Sequence, residues 1–128
     1  MLKDSRAFSG FAVGDIAAAR QFYVDTLGLE VSGSSRDDLT LHLAGGRQVM
    51  VYPKPDHVPA TYTILNFPVD DIDAVVDELA GRGVEFLRYE DFDQDEKGIA
   101  RSESGPPIAW FADPAGNIFS VLELGDSM

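Results

Sequence analysis

The sequence contains no cysteine, and it has few basic residues and no long apolar run. Without cysteine, the 128-residue chain has no disulfide, thiolate nucleophile or cysteine-bound metal, which fits a reducing, cytoplasmic location. Its 10 Lys and Arg residues stand against 22 Asp and Glu, and the net charge of −12 repels phosphate backbones and anionic lipid surfaces. No uncharged apolar run approaches the ~20 residues that cross a bilayer. We therefore expect neither a nucleic-acid partner nor a membrane partner.

What the sequence does contain is an internal repeat. The stretch at 13–29 is echoed about 56 residues later by the stretch at 69–84. Hydrophobic residues make up 45% and charged residues 25% of the chain, which is typical of a soluble globular protein. A repeat with only two copies predicts one domain, residues 1–128, built from two similar halves that close around a cleft.

Each half predicts the order strand, helix, strand, strand, strand. An apolar run comes first, and an aspartate that can cap a helix follows it, Asp15 in one half and Asp71 in the other. Later apolar runs predict further strands, including one at 84–89, whereas 91–105 is predicted to be an irregular loop. The predicted boundaries are module one at about 6–53, a proline-rich linker at about 53–60 and module two at about 61–125.

Four short motifs carry a family resemblance. They are Val-Gly-Asp-Ile at 13–16, Phe-Tyr at 22–23, Leu-Gly-Leu at 27–29 and Asp-Pro-Ala-Gly-Asn at 113–117. In this order they resemble the vicinal oxygen chelate superfamily, which includes glyoxalase I, bleomycin-resistance proteins and extradiol dioxygenases. The resemblance implies an α+β fold of two tandem βαβββ modules whose sheets curl around a central cleft. It also implies a homodimer.

Members of this superfamily that use a metal hold it on the first and last strands of each module. Counting from the local motifs places non-ligand residues at these positions, because phenyl, aliphatic and single hydroxyl groups do not replace imidazole or carboxylate donors. We therefore expect a metal-free protein without a cofactor. The positions are Phe8, Ile64, Ser120 and, on the least well anchored strand, Val51, with Val49, Met50 and Tyr52 as its alternatives.

Few other residues offer chemistry. His42 is interpreted as a partly exposed strand residue, and His57 as a solvated linker residue that could reach the rim of the cleft. Glu85, Glu90 and Glu123 lie on or beside predicted strands, and one of them would act as a base if it faced the cleft. The simpler interpretation makes all three solvent-facing, with Glu123 pointing away from the face of Ser120.

The acidic run at 90–96 predicts a solvated loop. It begins like a calcium loop, but its sixth position is Glu96 instead of glycine and its twelfth is Ser102 instead of glutamate. Lys97 and Arg101 follow this run. They either attract an anionic ligand at the mouth of the cleft or balance the neighbouring carboxylates.

The cleft wall is predicted to be mostly apolar, with a few polar groups that orient a ligand. Such a lining suits a flat or bulky apolar molecule, although the same residues can fill the concavity as core. The predicted lining residues are Phe8, Gly10, Val49, Val51, Tyr62, Ile64, Asn66, Trp110, Ser120 and Leu122.

The missing metal ligands weigh against an enzyme. The resemblance and the lining together predict a metal-independent protein that binds a small hydrophobic or aromatic molecule in the cleft between the modules, and the net charge of −12 favours cationic ligands. The alternative is a lyase, isomerase or dioxygenase with a non-standard site. A third possibility is an interaction module whose cavity is filled by side chains.

Overall fold

The computed structural model describes residues 1–33 and 37–124. The chain divides into two compact units, Met1–Val58 and Pro59–Met128. Each unit contains one four-stranded sheet and one principal helix. The predicted α+β class with two tandem modules is confirmed. No helix within the described ranges combines the length and the hydropathy that a bilayer crossing requires.

Unit one has the strand order β1-β4-β3-β2, with β1 parallel to β4 and the other neighbours antiparallel. Its helix begins as an α-helix and continues without a break as a wider π-helical segment. The elements are β1 (Ser9–Val13), α1 (Ile16–Gln21), the π-helical segment (Phe22–Thr26), β2 (Glu30–Gly33), β3 (Leu39–Leu43) and β4 (Arg47–Pro53).

One face of the unit-one sheet packs against the helical segment. Tyr23 on that segment is fully buried, and its ring meets the ring of Phe11 edge-on at 6.3 Å. Phe11 therefore lies on the helix side of β1. Its register partner Val51 is also buried, so the helix-side face of β4 carries Val51 and, two residues earlier, Val49. This face forms the core of unit one.

Unit two repeats the arrangement with the strand order β5-β8-β7-β6, in which β5 is parallel to β8. Its core is aromatic, with edge-on ring contacts that connect Phe67, Phe86, Phe111 and Phe119. The elements are β5 (Thr63–Val69), α2 (Ile72–Gly81), β6 (Ala100–Ser102), β7 (Gly105–Ala112) and β8 (Ile118–Glu123).

Both helices begin at the predicted aspartates. Asp15 accepts hydrogen bonds from the amides of Ala17 and Ala18, and Asp71 accepts one from the amide of Ala74. The α2 helix has a second cap, because Glu123 on β8 accepts a hydrogen bond from the amide of Ile72 at 3.0 Å. The prediction that Glu123 faces solvent is therefore wrong, whereas its separation from the face of Ser120 is confirmed.

The segment predicted as a strand at 84–89 contains only an isolated bridge between Phe86 and Phe111. The fourth strand of the sheet is instead β6, inside the stretch predicted to be an irregular loop. A side chain explains the difference. The amide of Gln94 accepts from the nitrogen of Tyr89 at 2.7 Å and donates to the carbonyl of Leu87 at 2.8 Å. The side chain of Gln94 thus binds the backbone groups of Tyr89 and Leu87 that would otherwise be available to a neighbouring strand.

Candidate functional site

The candidate site lies on the side of the unit-two sheet away from α2, which we call the far face. Glu123 contacts α2, so alternation along β8 puts Ser120 on the opposite side. Ser120 pairs with Asn66 on β5 and with Trp110 on β7. The three predicted lining residues Asn66, Ser120 and Trp110 therefore form one row across three adjacent strands.

The polar members of this row bind one another. The Ser120 hydroxyl donates to Oδ1 of Asn66 at 2.5 Å. Ser120 is fully buried, whereas Asn66 is exposed. A buried hydroxyl without a partner costs free energy, so this bond satisfies Ser120 and fixes the side chain of Asn66.

Three aromatic rings gather at the other end of the row. The ring of Phe92 lies 4.9 Å from that of Trp110 with a tilt of 38°, and the ring of Tyr89 meets Trp110 edge-on at 5.2 Å. Trp110 is 8% exposed and Phe92 is 51% exposed. Tyr89 and Phe92 were not among the residues predicted from the sequence. The sequence signal for Phe92 was an aromatic residue between two aspartates, in a stretch whose other residues suit an exposed loop.

Polar contacts hold the segment that carries these rings. Asp95 accepts from the amides of Lys97 and Ile99, both at 2.9 Å, and from Nε of Arg101 at 3.2 Å. Partial burial opposes the ionisation of Asp95, but the hydrogen bonds from Ile99, Arg101 and Lys97 outweigh it, and the net effect lowers its pKa. Arg88 donates to the carbonyls of Asp95 and Glu96. The acidic run is therefore an ordered loop.

Ion pairs connect this loop to α2. Arg101 donates to both carboxylate oxygens of Asp73, at 2.9 and 3.0 Å, and Lys97 contacts Asp77 at 3.1 Å. The hydrogen bond from Arg101 lowers the pKa of Asp73, and the one from Lys97 to Asp77 raises the pKa of Lys97. Of the two interpretations offered for Lys97 and Arg101, the structure favours the balancing of neighbouring carboxylates.

The predicted lining residues of unit one lie on opposite faces of its sheet. Val49 and Val51 are buried on the helix side, with Phe11. Gly10 lies on the far face of unit one, the side away from the helical segment, and its register partner is Met50. The structure does not bring Val49 and Val51 together with Gly10, because neighbouring residues of a strand point to opposite faces.

The remaining predicted residues lie at strand ends or beside the row. Phe8 precedes β1 and is 67% exposed, and Tyr62 precedes β5 and is 69% exposed. Ile64 lies at a register shift between β5 and β8. Leu122 is two residues beyond Ser120 and therefore shares the far face of unit two.

Strand pairing in the two units shows which residues occupy equivalent positions, and so which residues stand where the family places its metal ligands. Ser120 pairs with Asn66, and Gly10 is the unit-one counterpart of Asn66, because each lies three residues before the valine that ends its strand. The unit-one counterpart of Ser120 is thus Met50, one of the stated alternatives to Val51. A thioether and a hydroxyl are poor donors for hard divalent ions, so this set does not fit the family's metal. Within residues 1–33 and 37–124, no three His, Asp or Glu side chains come together as a metal site.

The two histidines are in different environments. His42 is half-buried on β3, and its Nε2 lies 2.8 Å from the hydroxyl of Ser32, as suits the predicted partly exposed strand histidine. His57 is also half-buried, and its Nε2 is buried with no hydrogen-bond partner in the described part of the chain. The prediction of a solvated His57 is therefore wrong. Glu85 and Glu90 are exposed, as predicted.

Unit one also has an open surface groove of about 490 Å³, which sequence analysis did not predict. It runs along the helical segment and β2 and shares no residue with the far-face row. Its lining mixes aliphatic and charged side chains: Ala17, Arg20, Gln21, Val24, Asp25, Leu29 and Val31.

Comparison with solved structures finds the same fold in proteins of low sequence identity. An antibiotic binding protein, TnmS3 from Streptomyces sp. CB03234, has a TM-score of 0.67 at 22% identity and covers 94% of this chain and 97% of its own. FosX, a fosfomycin resistance protein from Listeria monocytogenes, has a TM-score of 0.72 at 15% identity, with coverage of 94% and 93%. A superfamily member from Sphaerobacter thermophilus DSM 20745 has a TM-score of 0.69 at 26% identity, with coverage of 91% and 96%.

The comparison with curated proteins finds no match. The family model of the glyoxalase/bleomycin resistance protein/dioxygenase superfamily matches residues 8–121, which contain both sheets up to the middle of β8. The matched range includes the repeated strand–helix units, the paired first and last strands and the far-face row. The chain therefore belongs to the glyoxalase/bleomycin resistance protein/dioxygenase superfamily.

Proposed function

We propose that this protein binds an apolar or aromatic small molecule, neutral or cationic, without a metal ion. The ligand lies against the far face of unit two. The alternative is a lyase, isomerase or dioxygenase of the same superfamily with a non-standard site. Homodimer formation stays a prediction, which size-exclusion chromatography with light scattering tests.

The observation that carries the proposal is the combination of Asn66, Ser120 and Trp110 in one row, with Phe92 beside it. Small-molecule sites are mostly apolar, with a few polar groups that fix orientation. Here Phe92, half of which is exposed, supplies the aromatic surface, and the buried ring of Trp110 packs beside it. The pair of Asn66 and Ser120 supplies the polar group. Aromatic rings stack on such surfaces and gain about 0.5–1.5 kcal/mol beyond the area that they bury.

The proposal of metal independence is supported by the chemistry of the residues at the family's ligand positions. Phe8, Ile64, Met50 and Ser120 offer one thioether and one hydroxyl between them. Divalent metal catalysis in this superfamily would need several imidazole or carboxylate donors. A step that polarises substrate oxygens through a metal has no support from these side chains.

Two structural neighbours agree with a small-molecule role. One is described as an antibiotic binding protein and another as a fosfomycin resistance protein. At 22% and 15% identity they share the fold with this chain, and a fold does not determine a ligand. The proposal therefore depends on the far-face row, and the neighbours are consistent with it.

A thermal-shift experiment separates binding from metal chemistry. The protein is dialysed against EDTA and heated with aromatic and cationic compounds, or with Ni²⁺, Zn²⁺, Mn²⁺ or Fe²⁺. A ligand that binds only the native state raises Tm. We expect aromatic compounds to raise Tm and metal ions to leave it unchanged.

A matched variant connects any shift to the site. Phe92→Ala removes an exposed ring, and we expect it to reduce the shift from aromatic compounds. Lys54→Ala, on the surface of unit one, is the control that should keep the shift. Stoichiometric metal that survives dialysis and raises Tm would favour the metalloenzyme alternative. If Phe92→Ala left the thermal shifts unchanged, the aromatic compounds would bind at a different site.

A further inference from the structure

We propose that Asn66 selects ligands that carry a hydrogen-bond acceptor, such as the carbonyl of a neutral aromatic ketone. In this proposal Ser120 is a positioning residue that holds the amide of Asn66 in one orientation. The inference rests on the proposed binding function and specifies the ligand class for the same face.

The distance between the two side chains determines which end of the amide meets Ser120. At 2.5 Å, the contact from the Ser120 hydroxyl to Asn66 suits an O–H···O hydrogen bond. The flipped amide would place Nδ2 at this distance, which is shorter than the 2.7–3.2 Å typical of N–H···O bonds. The carbonyl oxygen of the amide therefore faces Ser120.

The remaining end of Asn66 is a donor. Its Nδ2 carries two hydrogens and makes no hydrogen bond to any residue within 1–33 and 37–124. Asn66 is exposed, so this group is available to a ligand. A carbonyl or ether oxygen accepts from it, whereas an ammonium group brings only donors and leaves Nδ2 without an acceptor.

The row sets the distance between the two protein groups that such a ligand contacts. Asn66 and Trp110 lie on strands that flank β8, so two strand spacings, about 10 Å, separate them. In a fused-ring ketone, the hydrogen bond from Asn66 to the carbonyl oxygen and the width of the rings together cover this distance. The rings would contact the aromatic group of Phe92 and Trp110 while the carbonyl meets Asn66.

Neutral ligands are favoured at this contact in spite of the acidic chain. The net charge of −12 is spread over the chain, and at physiological salt the field of distant charges is largely screened beyond about 8 Å. Selection at the Asn66 end depends on the group that meets the ligand there, which is an uncharged amide donor, whereas Asp91 and Asp93 flank Phe92 at the other end.

Three compounds of one shape test the proposal: 9-fluorenone, which has a ring carbonyl, fluorene, which has a methylene at the same place, and 9-aminofluorene, which has an ammonium there. Dissociation constants are measured by equilibrium dialysis at 0.15 M salt. A neutral hydrogen bond is worth about 1 kcal/mol, so we expect fluorenone to bind about fivefold more tightly than fluorene.

Variants at the two positions separate selection from folding. Asn66→Ala should remove the preference for fluorenone. Asn66→Asp keeps the acceptor for Ser120 but presents an oxygen in place of Nδ2, so it should reverse the preference towards 9-aminofluorene. Ser120→Ala frees the amide and should reduce the ratio of the fluorenone and fluorene affinities. Thermal unfolding shows that each variant is folded, and a merely structural role would not change that ratio.

The outcomes distinguish the two proposals. Equal binding of fluorenone and fluorene by the wild type, or a preference that survives Asn66→Ala, would overturn the acceptor selection and leave the binding function intact. If none of the three compounds binds, the aromatic-ligand function fails, and the selection fails with it.

Discussion

The two units share a plan but differ at one equivalent pair of residues on the far face. In each, the first and last strands run parallel and an aspartate caps the helix. The pair in unit one is Gly10 and Met50, whereas in unit two it is Asn66 and Ser120. The helix-side faces of both units carry buried apolar residues. The repeat thus keeps the packing that folds each unit, while the far faces carry different chemistry.

The units also differ after the helix. In unit one, β2 begins at Glu30, four residues beyond the helical segment. In unit two, the equivalent strand β6 does not begin until Ala100, and the residues between α2 and β6 include Tyr89 and Phe92. This longer connection brings two aromatic rings onto Trp110. The aromatic part of the candidate site is therefore a property of unit two.

The largest effect is expected from Gly98→Ala, which breaks the packing of the long connection. Gly98 is buried at φ +93°, and a Cβ there would lie 2.9 Å from Cβ of Phe86. Left-handed strain and overpacking add, so we expect a loss of about 2–4 kcal/mol in the free energy of unfolding, measured in urea.

Gly83→Ala is the matched control for this substitution. Gly83 has a similar φ of +96°, but a Cβ would meet nothing within 4 Å. We expect a smaller loss in the free energy of unfolding, about 1–2 kcal/mol, from left-handed backbone strain alone. Equal losses in the two variants would contradict the tight contact between Gly98 and Phe86.

The next effect concerns the caps of the two helices. Glu123 caps α2 from β8, and the equivalent residue of unit one is Pro53, which pairs with Val13 as Glu123 pairs with Val69. Glu123→Ala removes an acceptor from the helix start, so we expect a loss of about 1–2 kcal/mol in urea unfolding. Glu123→Gln keeps an uncharged acceptor and should lose less. A variant Glu123→Ala as stable as the wild type would show that Asp71 alone suffices.

The smallest effect is expected from the ion pairs between the loop and α2. Arg101→Gln removes contacts to Asp73 and Asp95. Exposed ion pairs contribute little, so we expect Tm at pH 7 to fall by no more than about 3 °C. Lys54→Gln, which breaks the isolated pair with Asp56 in unit one, should change Tm less.

The pH dependence of Arg101→Gln sharpens this test. Hydrogen bonding lowers the folded pKa of Asp73, so its stabilising contribution is present above the ordinary carboxyl pKa of about 3.9 and is lost as the pH falls through the lowered value. The difference in Tm between the wild type and Arg101→Gln should therefore shrink below about pH 4. A difference that persists at pH 2 would contradict the ionic explanation.

Local features of the fold were predictable from the sequence, because nearby residues determine them. Asp15 and Asp71 cap the helices in the predicted way, and Asp113 forms the predicted turn by accepting from the amides of Ala115 and Asn117. Each of these bonds joins residues no more than four positions apart. Sequence spacing alone is enough to predict them.

Nonlocal features were not predictable. No motif anchors the register of β4, so the sequence favoured Val51 as the counterpart of Ser120, whereas strand pairing makes it Met50. The contact of Phe92 with Trp110 depends on the path of the long connection, which the side chain of Gln94 helps to set. Asn66, Ser120 and Trp110 were all predicted as lining, but the row depends on pairing between distant strands.

The most direct test of the difference between the units compares equivalent truncations. Trp110 is the only tryptophan of the chain, so quenching of its fluorescence by 9-fluorenone reports binding at the far face of unit two. We expect Asn66→Ala to weaken fluorenone binding about fivefold and Met50→Ala to change it less than about twofold. If Met50→Ala weakens binding as much as Asn66→Ala does, or if Trp110 does not respond, the assignment of the ligand to unit two is wrong.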